Sequence, residues 1–299
     1  MKSITSILLL FGVLLNWFAG NIEAANADTL TQIFKTIQNP FHYDLQVKIL
    51  PAVKVDEELF ICMHGMGSDS TLSGIMRANP VIPYHIVAFN FPDHGSRYKD
   101  SIKTTFGTFD EIAPALFVLK KCVVEGKADK IHLYGFSAGG GAIINLLAVL
   151  NGNRYDKHLQ NLGLAHAEKQ KILQSIQNGS VILEVPLKSF DEIADTFGSP
   201  EMGMLAQRAR KNGMVPIENI KELQGLSVNC FLYFAYRDSA LGNRDDAEFI
   251  KRWQNTNGNG HTVAIIGKNA DHTTYHPELW NAFDKFVKKR NFDSQSLTK

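Results

Sequence analysis

The chain has 299 residues, and 31 Lys and Arg against 30 Asp and Glu give a formal net charge of +1. This balance gives no electrostatic reason to expect nucleic acid or an anionic membrane as a partner. The length suits one large domain, whose core would need no disulfide bonds for stability.

The first 27 residues have the pattern of a signal peptide. Lys2 precedes an uncharged apolar run over residues 4–18, and Ala25-Asn26-Ala27 fits a small-x-small cleavage site. The run is shorter than the about 20 residues of a membrane span, and an uncleaved anchor is the alternative. We therefore expect a secreted or periplasmic protein whose mature part, 28–299, has no stable membrane insertion.

Apolar runs alternate with helical patterns along the chain, which is typical of an α/β fold with a mostly parallel sheet covered on both faces. A helix over 28–38 and edge-strand material over 42–53 come first. Further strands are predicted at 58–63, 85–90, 130–134, 181–186, 230–235 and 261–266. Helices are predicted at 109–124, at 138–150, from Asp245 or Asp246, and from Pro277 to a tail that frays from 291.

Two segments are longer than a minimal connection between strands. Residues 151–178 contain a polar helical stretch, and residues 188–228 contain two or three short helices. The sequence has no internal repeat and no low-complexity linker between them. We interpret both segments as insertions in a single domain that form a cap over its functional site.

Three cysteines, Cys62, Cys122 and Cys230, lie in apolar surroundings. Their odd number and their spacing match no disulfide framework and no zinc site. We interpret them as small buried apolar side chains.

The segment Gly135-Phe136-Ser137-Ala138-Gly139 directly follows a predicted strand and opens a predicted helix. This is the setting of a nucleophile elbow, a tight turn that presents a nucleophilic side chain. Residues two before and two after the nucleophile must lack a β-carbon there, and Gly135 and Gly139 do. The backbone N–H of Ala138 would point at a developing oxyanion. A phosphate-binding turn is the alternative, and the lack of a GxGxxG or GK[ST] pattern disfavours it.

Four segments together resemble the α/β-hydrolase superfamily of lipases, esterases and aminopeptidases. They are HGMG at 64–67, NFPDHGSR at 90–97, GFSAGG at 135–140, and an Asp and a His after the last two strands. The second departs from the family pattern, with Asn90 for the usual Asp and Asp93 for the usual Gly. The resemblance implies an eight-stranded, mostly parallel sheet with a small helical cap.

The resemblance also implies the roles of individual residues. Ser137 would attack a carbonyl carbon, and the backbone amides of Met66 and Ala138 would form the oxyanion hole. The family order is Ser, then acid, then His. His272 follows the last strand by a short loop and is the expected base, with His276 as the alternative.

The expected acid is Asp238, which lies three residues beyond the strand 230–235. Asp245 and Asp246 stand just before a helix, where an N-cap or a dipole partner is the ordinary role. Asp271 adjoins His272, and neighbouring residues cannot easily direct a carboxylate and an imidazole at each other.

The implied activity is hydrolysis of an ester, thioester or amide through an acyl-enzyme, with an esterase or lipase favoured. It needs a small-molecule or acyl substrate and no metal or cofactor. A catalytically silent binding protein on this fold is an alternative, and so is an acyltransferase or peptidase with the same triad. The sequence does not fix the oligomeric state.

The strand order of the family also bears on the cysteines. It places two strands between those that carry Cys62 and Cys230, which separates the two backbones by roughly 14 Å. A disulfide needs Cα atoms within about 7 Å. We therefore expect these two cysteines not to pair, and the pairing of Cys122 stays open.

Overall fold

The structure is a computed structural model, and the residues that it describes are 45, 47–50, 58–68, 85–92, 94, 105–242, 246–274 and 276–296. The predicted signal peptide and the predicted helix at 28–38 lie outside these residues. Within the described ranges, no helix is long and apolar enough to cross a membrane.

The described residues form one seven-stranded sheet in the spatial order β1-β3-β2-β4-β5-β6-β7. The strands are β1 Val47–Leu50, β2 Glu58–Met63, β3 His85–Phe89, β4 Lys130–Phe136, β5 Ser180–Glu184, β6 Asn229–Ala235 and β7 Thr262–Gly267. β1 is antiparallel to β3, and every other neighbouring pair is parallel. The mostly parallel sheet and its edge strand are as predicted, and the implied eighth strand is not among the described residues.

The predicted strand 181–186 ends early, at Glu184. Val185 has a φ of 43°, in the left-handed region that β-branched residues rarely adopt. Pro186 has no N–H to donate to a neighbouring strand. The chain therefore leaves the sheet at Val185, and Leu187 N–H donates to the carbonyl of Ser137 at 2.9 Å.

The helices follow the predicted order with differences at their ends. They are α1 Ala113–Leu119, α2 Ala138–Asn151, α3 Asp156–Asn161, α4 His166–Asn178, α5 Phe190–Phe197, α6 Pro200–Asn212, α7 Pro216–Asn219, α8 Asp246–Thr256 and α9 Pro277–Ser296. The predicted helix 109–124 has three parts, because a 3-10 turn precedes α1 and a wider π-helical turn, Lys120–Glu125, continues it. Helix α9 continues to Ser296, past residue 291, where the frayed tail is predicted to begin.

Both faces of the sheet carry apolar side chains that helices cover. On one face, Leu59, Ile61 and Met63 belong to a core that includes residues of α1, α2 and α4. On the other face, Phe60 and Cys62 belong to a core that includes residues of α9. Helix α2 is buried from Ala138 to Leu150, as its apolar pattern predicts.

The prediction that residues 151–178 roof the site is wrong for their larger helix, α4. This helix packs against β4 and β5 and buries Ile172 and Ile176 in the core. The hydroxyl of Ser175 donates to the carbonyl of Ala128 at 3.2 Å, just before β4 begins. Ser137 follows the other end of β4. The apolar stripe of α4 therefore covers the sheet rather than the site.

The strand order confirms the predicted separation of Cys62 and Cys230, because β4 and β5 lie between β2 and β6. The two side chains also face opposite cores. All three cysteines, with Cys122, are buried and free. Burial raises the pKa of each thiol, that of Cys122 to about 12.

Candidate active site

Ser137 lies between β4 and α2 in a strained backbone conformation, with φ 54° and ψ −118°. A β-carbon on Gly135 would lie 2.5 Å from the carbonyl oxygen of Gly139. A β-carbon on Gly139 would lie 2.2 Å from the carbonyl oxygen of Met63. Both obstacles are backbone atoms, so only glycine fits at either position without a shift of the main chain.

Three side chains predicted from the sequence lie within hydrogen-bond distance of one another. His272 Nε2 is 2.9 Å from Ser137 Oγ, and His272 Nδ1 is 2.8 Å from Asp238 Oδ2. All three residues are buried. A carboxylate only accepts hydrogen bonds, so Nδ1 carries the proton and Nε2 is free to accept the hydroxyl proton of the serine.

The carboxylate of Asp238 is oriented by its own turn. Its Oδ1 accepts hydrogen bonds from the backbone amides of Ala240 at 2.9 Å and Leu241 at 2.6 Å. That leaves Oδ2 for the imidazole of His272. The ring of Phe136 packs against this imidazole, with 5.2 Å between ring centroids.

The HGMG segment passes directly beside Ser137. A β-carbon on Gly65 would lie 3.3 Å from the β-carbon of Ser137. The Nε2 of His64 accepts the Phe91 backbone N–H at 3.1 Å, so its Nδ1 carries a proton and donates to the Gly65 carbonyl at 2.7 Å. In a trans peptide the N–H points away from the carbonyl, so His64 also orients the backbone amide of Met66.

Asp271 ties the loop of Asp238 to the loop of His272. Its Oδ1 accepts hydrogen bonds at 2.7 Å from the backbone amides of both Ser239 and His272. Hydrogen bonds from Ser239 and from the His272 amide lower the pKa of the Asp271 carboxyl below its usual value. This role was not predictable from the sequence, because it depends on two loops meeting in space.

The other candidates from the sequence lie elsewhere. His276, the alternative base, is 2.7 Å from Glu184, and His272 holds the place beside Ser137. Asp246 begins α8 and forms a buried ion pair with Lys188. Asp245 lies outside the described residues. Among the described side chains, no group of three or more His, Cys, Asp or Glu could hold a metal ion.

The chain has the α/β-hydrolase fold, and solved structures with that fold superpose on most of it. A lipase/esterase from Lactobacillus plantarum has a TM-score of 0.59 at 14% identity, covering 85% of this chain and 96% of its own. A carboxylesterase from Lactobacillus plantarum WCFS1 has a TM-score of 0.56 at 15% identity, covering 79% and 82%.

A third structure is acetyl xylan esterase 1 from a Thermoanaerobacterium species. Its TM-score is 0.53 at 12% identity, and the match covers 80% of this chain and 78% of that one. No family model and no curated protein sequence matches the chain. At these identities the likeness establishes the fold, and the reaction has to be argued from the site.

Proposed function

We propose that this chain is a serine hydrolase that cleaves a carboxylic ester through an acyl-enzyme. The hydrogen-bonded series Asp238, His272 and Ser137, with distances of 2.8 and 2.9 Å, carries the proposal. A nucleophile in reach of a base, which is oriented by an acid, is the arrangement that activates a serine hydroxyl. The esterases that share the fold support the same class of reaction.

In the first half-reaction, Ser137 Oγ bonds to the carbonyl carbon of the ester while its proton passes to His272 Nε2. The oxyanion of the tetrahedral intermediate accepts hydrogen bonds from the amides of Ala138 and Met66. The bond to the alcohol then breaks, and the alcohol leaves with the proton from Nε2. Asp238 maintains the imidazole tautomer and stabilises the imidazolium.

In the second half-reaction, a water oxygen bonds to the acyl carbon and gives its proton to His272 Nε2. The bond between Ser137 Oγ and the acyl carbon breaks, and Oγ takes the proton back. The carboxylic acid leaves, and the site returns to its starting state. The residues named therefore complete the cycle with no metal ion or cofactor in any step.

Residues 188–228 are the segment that we propose as the cap of this site. Phe190 of α5 contacts the ring of Phe106, with 6.0 Å between centroids. Phe106 contacts His94 at 5.3 Å, and His94 contacts His64 at 5.2 Å. A continuous series of rings thus joins the proposed cap to the loop that holds Met66.

The test is covalent labelling of the purified protein with a fluorophosphonate probe. We expect labelling at Ser137, none in Ser137→Ala, and loss of ester hydrolysis in His272→Ala by a factor on the order of 10⁴ or more. Hydrolysis of p-nitrophenyl esters in preference to aminoacyl anilides would favour an esterase over a peptidase. A folded wild-type protein that the probe does not label would contradict the proposal and favour a binding protein.

A further inference from the structure

A second acid–histidine pair lies beneath the first. His276 Nδ1 is 2.7 Å from Glu184 Oε1, and the hydroxyl of Tyr134 donates to Glu184 Oε2. Glu184 is 0% exposed and His276 is 1% exposed. The ring of Tyr233 stacks on the imidazole with 4.2 Å between centroids. Burial of ionisable groups is costly unless each is paired, so the pair calls for a role.

The protons of His276 follow from its partners. Its Nε2 is 3.0 Å from the carbonyl oxygen of Asp271, which only accepts, so Nε2 carries a proton. The hydroxyl of Thr274 donates to the same carbonyl at 2.6 Å. On the other side of the ring, one hydrogen bond joins Nδ1 to Glu184 Oε1. The imidazole is therefore held from both nitrogens.

The carbonyl that His276 holds belongs to the peptide bond directly before His272. The nitrogen of that peptide donates to Asp271 Oδ1 at 2.7 Å. Both polar atoms of the peptide are thus fixed, the oxygen by His276 and Thr274 and the nitrogen by Asp271. This peptide contains the backbone nitrogen of His272, so its position helps to set the position of the imidazole.

Glu184 is connected to the nucleophile as well. Its backbone carbonyl accepts the N–H of Ser137 at 3.0 Å. It is the last residue of β5, and the strained Val185 follows it. Through its main chain Glu184 therefore holds Ser137, and through its side chain and His276 it holds the loop of His272.

We propose that Glu184 and His276 are positioning residues that set the imidazole of His272 against the hydroxyl of Ser137. The inference rests on the hydrolase function proposed above. Glu184 holds His276, and His276 holds the peptide before His272 through the Asp271 carbonyl, so their effect passes through the backbone. A displacement of about 1 Å between reacting groups costs roughly 10²-fold in rate.

The first experiment compares three substitutions of His276. We expect His276→Ala to lower kcat by about 10- to 100-fold with little change in KM. His276→Gln places an amide N–H near the position of Nε2, so it should recover much of the lost kcat by donating to Asp271. His276→Asn is too short for that bond and should resemble alanine. His166→Gln changes an exposed histidine and is the matched control.

A folding defect is separated by a double variant. His276→Ala leaves Glu184 buried without its imidazole partner, whereas His276→Gln with Glu184→Gln also removes the buried carboxylate. The double variant should therefore unfold at a temperature closer to that of the wild type than His276→Ala does. An unchanged kcat in His276→Ala overturns the inference. A loss of kcat that follows the unfolded fraction and that glutamine does not recover also overturns it.

A second readout needs no activity. In protein labelled with ¹⁵N-histidine, we expect the Nε2 proton of His276 to be protected from exchange, because it donates to the Asp271 carbonyl. Glu184→Gln should shift the resonance of the Nδ1 nitrogen and leave the Nε2 proton in place. Absence of a protected Nε2 proton overturns the inference even in an active enzyme. If Ser137 is not labelled but the protected Nε2 proton is present, the proposed function fails while the second acid–histidine pair stands.

Discussion

At the residue scale, the turn that holds Ser137 requires glycine, because a β-carbon would collide with backbone atoms. Gly139 lies against the carbonyl oxygens of both Met63 and His64, at 2.2 and 2.7 Å from the position of a β-carbon. Gly203, in the proposed cap, has open space around the same position. We therefore expect an added methyl group to have opposite effects on stability at the two glycines.

We expect Gly139→Ala to destabilise the fold and to abolish fluorophosphonate labelling, because neither obstacle is a side chain that could move aside. Gly203→Ala should leave labelling unchanged and add about 0.5–1 kcal/mol to the free energy of unfolding, since alanine is the better helix former. Denaturant unfolding and labelling of both variants measure this. Normal labelling of Gly139→Ala would contradict the elbow geometry.

The proposed acid, Asp238, is tested by a substitution that preserves its shape. In Asp238→Asn, the side-chain oxygen still accepts from Ala240 and Leu241, so the turn should fold. The amide nitrogen then faces His272 Nδ1 and favours the wrong tautomer. We expect kcat to fall by roughly 10³- to 10⁴-fold with an unchanged unfolding midpoint. Retention of a tenth of the wild-type kcat would argue against Asp238 as the orienting acid.

Glu111 gives a prediction for stability as a function of pH. It is buried, and Gly107 N–H donates to its Oε2 at 2.7 Å. Burial raises the pKa of this carboxyl to about 8, although hydrogen bonds from Gly107 and Asn145 oppose the shift. The folded state thus retains a proton that the unfolded chain releases at lower pH.

With the folded pKa above the unfolded value, the contribution of Glu111 to stability is complete in acid and is lost as pH rises to about 8. We expect the free energy of unfolding to fall by about 1 kcal/mol per pH unit relative to Glu111→Gln between pH 5 and 8, and then to level off. Urea unfolding of both proteins across this range tests it. Parallel curves would show that Glu111 is ionised in the fold.

At the element scale, strands with continuous apolar runs were predictable, because both faces of a parallel sheet are buried. The strand 58–63 has the predicted bounds, and β4 leads into Ser137 as the motif requires. Turns with strong local chemistry, such as the Gly135 to Gly139 elbow, were also readable. In both cases the decisive information lies within a few neighbouring residues.

What the sequence did not reveal depends on contacts between distant elements. The packing of α4 on the sheet was not predictable, because such a prediction needs the position of β4 in space. Glu184 was visible only as a charged residue in an otherwise apolar strand, VILEVP. Its partner His276 lies 92 positions further along the chain. Local patterns carry no information about such a pairing.

The strand order predicts the state of the thiols. We expect denatured, unreduced protein to react with a thiol reagent at all three cysteines, because each side chain is buried and free. Native protein should not react, since burial raises the pKa of each thiol and blocks access. A Cys62–Cys230 bridge found by mass spectrometry would contradict the order of β2, β4, β5 and β6.

At the scale of the whole molecule, the proposed site is a property of the complete sheet. Ser137 follows β4, Asp238 follows β6 and His272 follows β7, while the HGMG loop follows β2. Parallel strands have their carboxyl ends on the same side of the sheet, so four separate segments meet there. No contiguous piece of the chain shorter than residues 64–272 contains all of them.

The span of the site also sets an order of events in time. Ser137 and His272 share a hydrogen bond across 135 positions, and such non-local contacts form slowly because long loops must close first. After dilution from denaturant, helical circular dichroism should therefore recover before reactivity towards the fluorophosphonate. The time course of labelling would then report when the last strands of the chain join the sheet.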